Sequence, residues 1–174
     1  MAQYLGLRVS EILALQWSDI NFGELTMRVT RGGVDGVVDE VKTEYSEDEL
    51  PLDPDLATVL LSWKEQCPKS EVGWMFPSPV TGRGYRASPI QQDYIRPAGQ
   101  RLGLGTIGWH TFRHAYRSWL GLVGTSMGVQ QKLMRHAQIA ATMNVSGDAM
   151  MESKRTANSK VVQMVLRPAL KEAK

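Results

Sequence analysis

The sequence predicts an α+β domain that is mainly α-helical, with a small three-stranded antiparallel sheet near residues 25–52. Three observations lead there. Alternating, β-branched segments punctuated by glycine are confined to that one stretch. Elsewhere apolar residues recur at helical spacing between recognisable caps. A chain of 174 residues, 43% hydrophobic and 22% charged, suits one domain, or one with a small appendage, able to bury a core.

The elements follow in order. Ser10 to Trp17 reads as a helix with Ile12, Leu13, Ala14 and Leu15 on its apolar face, bringing Arg8 and Glu11 together near its start. Leu25 to Thr30 alternates as a strand. Gly32, Gly33 and Gly36 break the pattern, Val37 to Thr43 is β-prone, and Glu49 to Leu52 suits a short edge strand. Asp53-Pro54 opens a helix toward Cys67, with a cap and a proline at its start. Pro77 to Gly84 is a loop, and Ser88-Pro89 starts a helix that ends near Gly103. Further helices cover Thr111 to Leu122, Ser126 to Arg135 and Ile139 to Asn144. Ser159 to Lys171 closes the chain with a stripe of Val161, Val162, Val165 and Leu166, and Pro168 puts its last turn in question.

Composition excludes several classes. No apolar run reaches the length of a membrane span. No basic, apolar leader opens the chain. The lone Cys67 leaves no internal disulfide and fits a reducing cytosol. The net charge of +2 conceals an asymmetry: ten basic and three acidic residues follow Trp109, whereas fifteen acidic and ten basic residues precede His110. Such a chain can bind a polyanion with one part only, although uneven surface charge explains the pattern equally well. Between Arg31 and Lys64 a single base, Lys42, stands among nine acids. It is either a surface ion-pair partner or a positioned proton donor.

All three histidines lie within residues 110–136. His110 and His114 frame Arg113, and His136 follows Arg135. Clustered cations and imidazoles suit a phosphate diester: guanidinium groups hold the charged oxygens, and imidazoles donate to them or move protons. On one helix His110, Arg113 and His114 share a face, which a satisfied surface would also produce. A zinc site on His110 and His114 would need further ligands, for which only Cys67 and His136 could supply nitrogen or sulfur, and the glutamate of the zinc-protease motif is absent. We therefore expect no metal.

Four boxes in order carry a resemblance over almost the whole chain. Gly6-Leu7-Arg8-Val9-Ser10-Glu11-Ile12-Leu13-Ala14-Leu15-Gln16-Trp17-Ser18-Asp19-Ile20 resembles the first arginine box of tyrosine recombinases, the phage integrase family. Val41-Lys42-Thr43 resembles that family's β-hairpin lysine segment, and Phe76-Pro77-Ser78 with Thr81-Gly82 the loop after it. Trp109 to His114 resembles the His-x-x-Arg box. Leu133-Met134-Arg135-His136 through Asn144 resembles the third box, with Arg135 where many members have glycine.

The resemblance implies the catalytic domain of a site-specific DNA recombinase over residues 1–174, acting on double-stranded DNA without a cofactor. Arg8 and Arg113 would clamp the scissile phosphate, Glu11 and His114 would support them, and Lys42 would protonate the departing 5′ oxygen. His110 and His136 would donate to the phosphate and manage the nucleophile's proton. A tyrosine would attack phosphorus, leaving a 3′-phosphotyrosyl link and a free 5′ hydroxyl, and another strand's hydroxyl would reverse the step. The resemblance further implies a cytoplasmic, nucleoid-associated protein of prokaryotic, phage or mobile-element origin. It also implies that residues 159–171 either pack on a neighbouring copy on DNA or fold back on their own core. With Met1 so close to Arg8, the N-terminal DNA-clamping domain of the family is expected to be absent, and DNA affinity to be weak and salt-dependent.

The departure from the family is Ser146, which stands at the nucleophile's position, and no tyrosine follows Tyr116. A serine hydroxyl is an aromatic ring nearer the backbone, whereas attack needs reacting atoms at about 3–3.5 Å. An alcohol is also far less acidic than a phenol, whose pKa is about 10. Tyr116, on the helix of Arg113, belongs in the core or on a DNA-facing surface. The chain is thus expected to bind DNA without a stable covalent link, whether Ser146 reflects deliberate inactivation or decay. The competing reading is a non-catalytic nucleic-acid or protein-interaction module that keeps the scaffold.

Overall fold

The described strands fall between Ile20 and Pro51 in a computed structural model that describes residues 1–34, 37–40, 48–135 and 147–172. Strands β1 (Ile20–Asn21), β2 (Thr26–Val29) and β5 (Asp48–Pro51) make an antiparallel three-stranded sheet with β2 in the middle. The register sets Met27 opposite Leu50, both fully buried, while Arg28 faces Glu49 on the wet side. Pro51 lies on the edge strand β5, where its missing N–H is tolerated. Strands β3 (Arg31–Val34) and β4 (Val37–Glu40) pair separately as a hairpin. The sheet expected near residues 25–52 is therefore present, but its third strand is β1 rather than Val37 to Thr43.

Two short helices, α1 (Ala2–Leu5) and α2 (Val9–Leu13), precede the sheet. The expected helix from Ser10 to Trp17 thus ends early, because tertiary backbone bonds claim the groups beyond Ala14. Trp17 N–H donates to the Gly73 carbonyl and Met75 N–H to that of Leu15, both at 3.0 Å. Helix α3 (Pro54–Gln66) begins where the sequence places it, with the Asp53 carboxylate accepting from Asp55 N–H at 2.9 Å.

A continuous helical stretch follows as α4 (Ala87–Ile90), a wide π turn over Gln91–Ile95, and α5 (Arg96–Arg101). Arg96 N–H reaches back five residues to the Gln91 carbonyl, just before Pro97, which has no N–H to donate. Helices α6 (Trp109–Leu122) and α7 (Met127–Met134) match expectation closely.

The closing helix is longer than predicted. Helix α8 runs from Gly147 to Glu172 and continues through Pro168. Met164 and Pro168 are both exposed, so the carbonyl that Pro168 cannot satisfy lies on a wet face. The opposite stripe, with Ala157, Val161, Val162 and Leu166, is buried against β5, α3, α6, α7 and α1. Asn158 Nδ2 donates to the Pro51 carbonyl at 3.0 Å, and Arg167 Nε to the Asp55 carboxylate at 2.5 Å. In this structure α8 folds onto its own chain. The expected helix from Ile139 to Asn144 lies outside the described residues. Among the described residues, no helix is long and apolar enough to cross a membrane.

Candidate active site

The site begins at Gly6, which ends α1 in the left-handed conformation with φ 62°. A Cβ here would stand 2.6 Å from Cδ1 of Tyr116, so both the backbone angle and the close approach require glycine. The Gly6 carbonyl accepts a hydrogen bond from Arg113 Nη1 on α6. Two residues later Arg8 caps α2 with an extended backbone. Its amide donates to Glu11 Oε2 at 2.6 Å and its Nη1 to Oε1 at 2.8 Å. One carboxylate thereby satisfies a helix-start N–H and anchors a guanidinium.

Helices α6 and α7 bring the remaining groups. Arg113, one turn beyond His110, is buried, and its Nη2 donates to the Met134 carbonyl at the end of α7. Each terminal nitrogen of Arg113 carries a second N–H besides the one used on the backbone. Arg135 ends α7 in the left-handed region, φ 47° and ψ 49°. Its carbonyl accepts from Arg8 Nη2 at 3.1 Å, and its own Nη2 donates to Glu11 Oε2 at 2.5 Å. Arg135 thus ties the first and third sequence boxes, more than a hundred residues apart, directly, and Arg113 bridges the same two boxes through Gly6 and Met134.

The electrostatics follow from burial. The Glu11 and Arg135 side chains are 5% and 1% exposed, whereas that of Arg8 is 43% exposed and reaches solvent. Burial alone would raise the Glu11 carboxyl. The charge of Arg135, the Arg8 backbone N–H bond and the charge of Arg8 outweigh it and hold the group below the usual carboxylate range. Burial first, then the neighbouring charges of Arg8 and Arg135, bring the Arg113 guanidinium down to about 10, against the pull of Glu11. Three guanidinium groups thus gather around a single carboxylate. An anion with several oxygens complements that arrangement.

His110 and His114 lie exposed on α6 with ring centroids 6.4 Å apart. Among the described residues no third His, Cys, Asp or Glu joins them in a cluster fit for a metal ion. The start of α6 is fixed by Trp109, whose Nε1 donates to the Ala87 carbonyl at 3.2 Å and whose amide donates to Gln91 Oε1 at 3.4 Å. The π turn thus supplies a side-chain acceptor at the end of α6 that carries His110. Lys42, His136 and Ser146 lie outside the described residues.

Tyr116 is fully buried, and its hydroxyl donates to Asn158 Oδ1 on α8 at 2.5 Å. Burial pushes its phenol well above the usual tyrosine range. Both facts place it in the core, one of the two locations expected from sequence. The residue that sequence reasoning missed is Arg135, noted as a departure from glycine but given no role. The available signal was an arginine at the end of a helix, where the left-handed cap favours glycine.

Known proteins resemble this chain over most of its length. The phage integrase family model matches residues 1–145. A tyrosine recombinase of Pseudothermotoga lettingae is 27% identical over 139 residues, covering 80% of this chain and 44% of that protein. The Tn1549 transposon integrase, solved in complex with circular intermediate DNA, superposes with a TM-score of 0.67 at 19% identity, covering 87% of this chain and 56% of that one. The integrase of mycobacterium phage Brujita gives 0.65 at 24% identity, over 92% of this chain and 48% of that one. XerA recombinase gives 0.63 at 20% identity, over 86% of this chain and 53% of that one. The chain therefore spans about half the length of these relatives. The family match begins before Arg8 and runs past Arg135, enclosing every arginine of the cluster, and the chain belongs to the phage integrase family.

Proposed function

We propose that this chain is the catalytic domain of a site-specific DNA recombinase whose phosphate clamp is built and whose nucleophile position holds Ser146. It binds double-stranded DNA and forms no stable covalent link to it. The observation that carries this reading is the pair of arginines at one site: Arg8, half open to solvent and anchored on Glu11 at the start of α2, and Arg113 of α6, braced on the backbone carbonyls of Gly6 and Met134. Braced donors cost little reorganisation when charge builds up on a phosphate, which is where electrostatic catalysis gains most.

In the active form of such a site a tyrosine at position 146 attacks phosphorus and the 5′ oxygen leaves. Arg8 and Arg113 hold the non-bridging oxygens, and Lys42 gives the leaving oxygen its proton. His110 and His136 donate to the phosphate and take up the nucleophile's proton, with Glu11 and His114 in support. The bond energy stays in the phosphotyrosyl link, so no nucleotide cofactor is consumed. With Ser146 the clamp engages the phosphate but the hydroxyl is too short and too weakly acidic to complete the exchange. Tyr116 does not substitute, because its hydroxyl is committed to Asn158.

The same proposal places the protein on DNA in the cytoplasm of a prokaryote, or in a phage or mobile element. The buried stripe of α8 and the Arg167–Asp55 pair support an intramolecular role for residues 159–171 rather than exchange between copies. The test uses a pool of nicked duplexes randomised around the nick. We expect the chain to retard this DNA in a salt-dependent manner with no denaturation-resistant product, and the Ser146→Tyr variant to yield one. A Ser146→Tyr variant that binds but never traps DNA would support the competing reading of a non-catalytic module.

A further inference from the structure

Arg135 is poorly explained by stability. A non-glycine residue at φ 47° bears a steric cost that glycine would avoid. Its guanidinium is almost wholly buried, yet Nε and Nη1 have no hydrogen-bond partner among the described residues. Buried donors left unmade are destabilising. Glu11 does not need Arg135 for satisfaction, since Arg8 already donates to both carboxylate oxygens.

What Arg135 does change is charge. Arg8 and Glu11 on their own form a neutral pair, a weak attractor for an anion. With Arg135 on the same carboxylate the trio carries one net positive charge, and Arg113 brings the described part of the clamp to two. The Arg135 carbonyl simultaneously steers Arg8 by accepting from Nη2 at 3.1 Å. That contact depends on the left-handed cap, which turns the backbone at the end of α7.

We propose that Arg135 is a positioning residue of the phosphate clamp. Its carbonyl orients the Arg8 guanidinium, and its side chain offsets the Glu11 charge so that Arg8 keeps its attraction for a phosphate. The proposal rests on the recombinase reading of the same pocket. It separates two contributions of one residue: glycine at this position keeps the carbonyl and loses the charge.

The test is titration of the protein with inorganic sulfate, a multi-oxygen anion, at constant ionic strength maintained with sodium chloride and followed by calorimetry. Arg135→Gly should remain folded with a cooperative thermal transition and bind sulfate about tenfold more weakly, as expected for one unit charge removed beside the anion in a partly screened pocket. Arg135→Gln, which keeps an amide donor without charge, should lose about as much, whereas Arg135→Lys should recover most of the affinity. The proposal is overturned if the glycine and glutamine variants bind as tightly as the parent while Arg8→Ala is weakened, for Arg135 is then only a helix cap. Failure of the folded lysine variant to recover binding overturns the charge argument. If Arg8→Ala also leaves sulfate binding unchanged, the pocket is no anion clamp and the recombinase reading falls with it.

Discussion

Replacing Glu11 by glutamine probes the buried centre of the site with the smallest change of shape. The carboxylate receives the Arg8 amide at 2.6 Å, Arg8 Nη1 at 2.8 Å and Arg135 Nη2 at 2.5 Å. Glutamine keeps one oxygen acceptor but removes the charge, and its amide nitrogen faces a donor. Arg135, 1% exposed, then becomes an uncompensated buried cation. Breaking such a pair costs about 3–5 kcal/mol, and the retained acceptor places this substitution near 3 kcal/mol. The half-exposed Arg8 adds less than about 1 kcal/mol, because solvent screens it. For a domain of this length each kcal/mol corresponds to roughly 2–4 °C, so the thermal midpoint at pH 7 should fall by roughly 6–12 °C.

The pH dependence supplies the sign. Folding holds the Glu11 carboxyl below its usual range, so the unfolded chain binds the proton more readily. The stability contributed by Glu11 is fully present above the unfolded value, about 4.3, and is lost as pH falls through the depressed folded value. Thermal denaturation of parent and variant at pH 7, 5 and 3 should therefore show a gap that persists to about pH 5 and narrows below. A Glu11→Gln protein within 0.5 kcal/mol of the parent at pH 7, or a gap unchanged down to pH 3, would refute the argument.

Other outcomes follow from the same geometry. Tyr116→Phe removes the donor to Asn158 Oδ1 in a dry site and should cost about 1–3 kcal/mol by chemical denaturation, while leaving covalent trapping by a Ser146→Tyr protein intact. Gly6→Ala sets a Cβ 2.6 Å from the Tyr116 ring at φ 62° and should destabilise by more than about 2 kcal/mol in the same assay. Helix α8 should resist proteolysis in a dilute monomeric sample, as its stripe is covered by its own chain. Cleavage there that disappears only on self-association would show exchange instead.

Legibility in the sequence tracked how local each determinant is. Helix α3 could be placed because Asp53 and Pro54 act on their own neighbours, and Arg8 with Glu11 because a capping pair spans three residues. The end of α2 could not, since distant carbonyl and amide groups at Gly73 and Met75 decide it. The separate β3–β4 hairpin escaped notice for a related reason: strand propensity identifies strands but not their partners. Pro168 misled because a proline's cost depends on whether the carbonyl it leaves is wet. Arg113 stood out in its histidine-flanked cluster and again through the family resemblance, whereas its brace on Gly6 and Met134 is a product of tertiary folding. Arg135 was in plain view, but its role depends on a left-handed turn and on burial, neither of which is written in the residue itself.

The most direct test of the central claim compares three proteins on the randomised nicked duplexes: the parent chain, Ser146→Tyr, and Ser146→Tyr with Arg8→Ala. Covalent protein–DNA product is counted on a denaturing gel after equal DNA binding has been verified. A clamp complete except for its nucleophile predicts product from Ser146→Tyr alone, with at least a hundredfold loss, or about 2.7 kcal/mol, on removal of the Arg8 guanidinium. Product from the parent chain, or none from a Ser146→Tyr protein that binds the DNA normally, would contradict it.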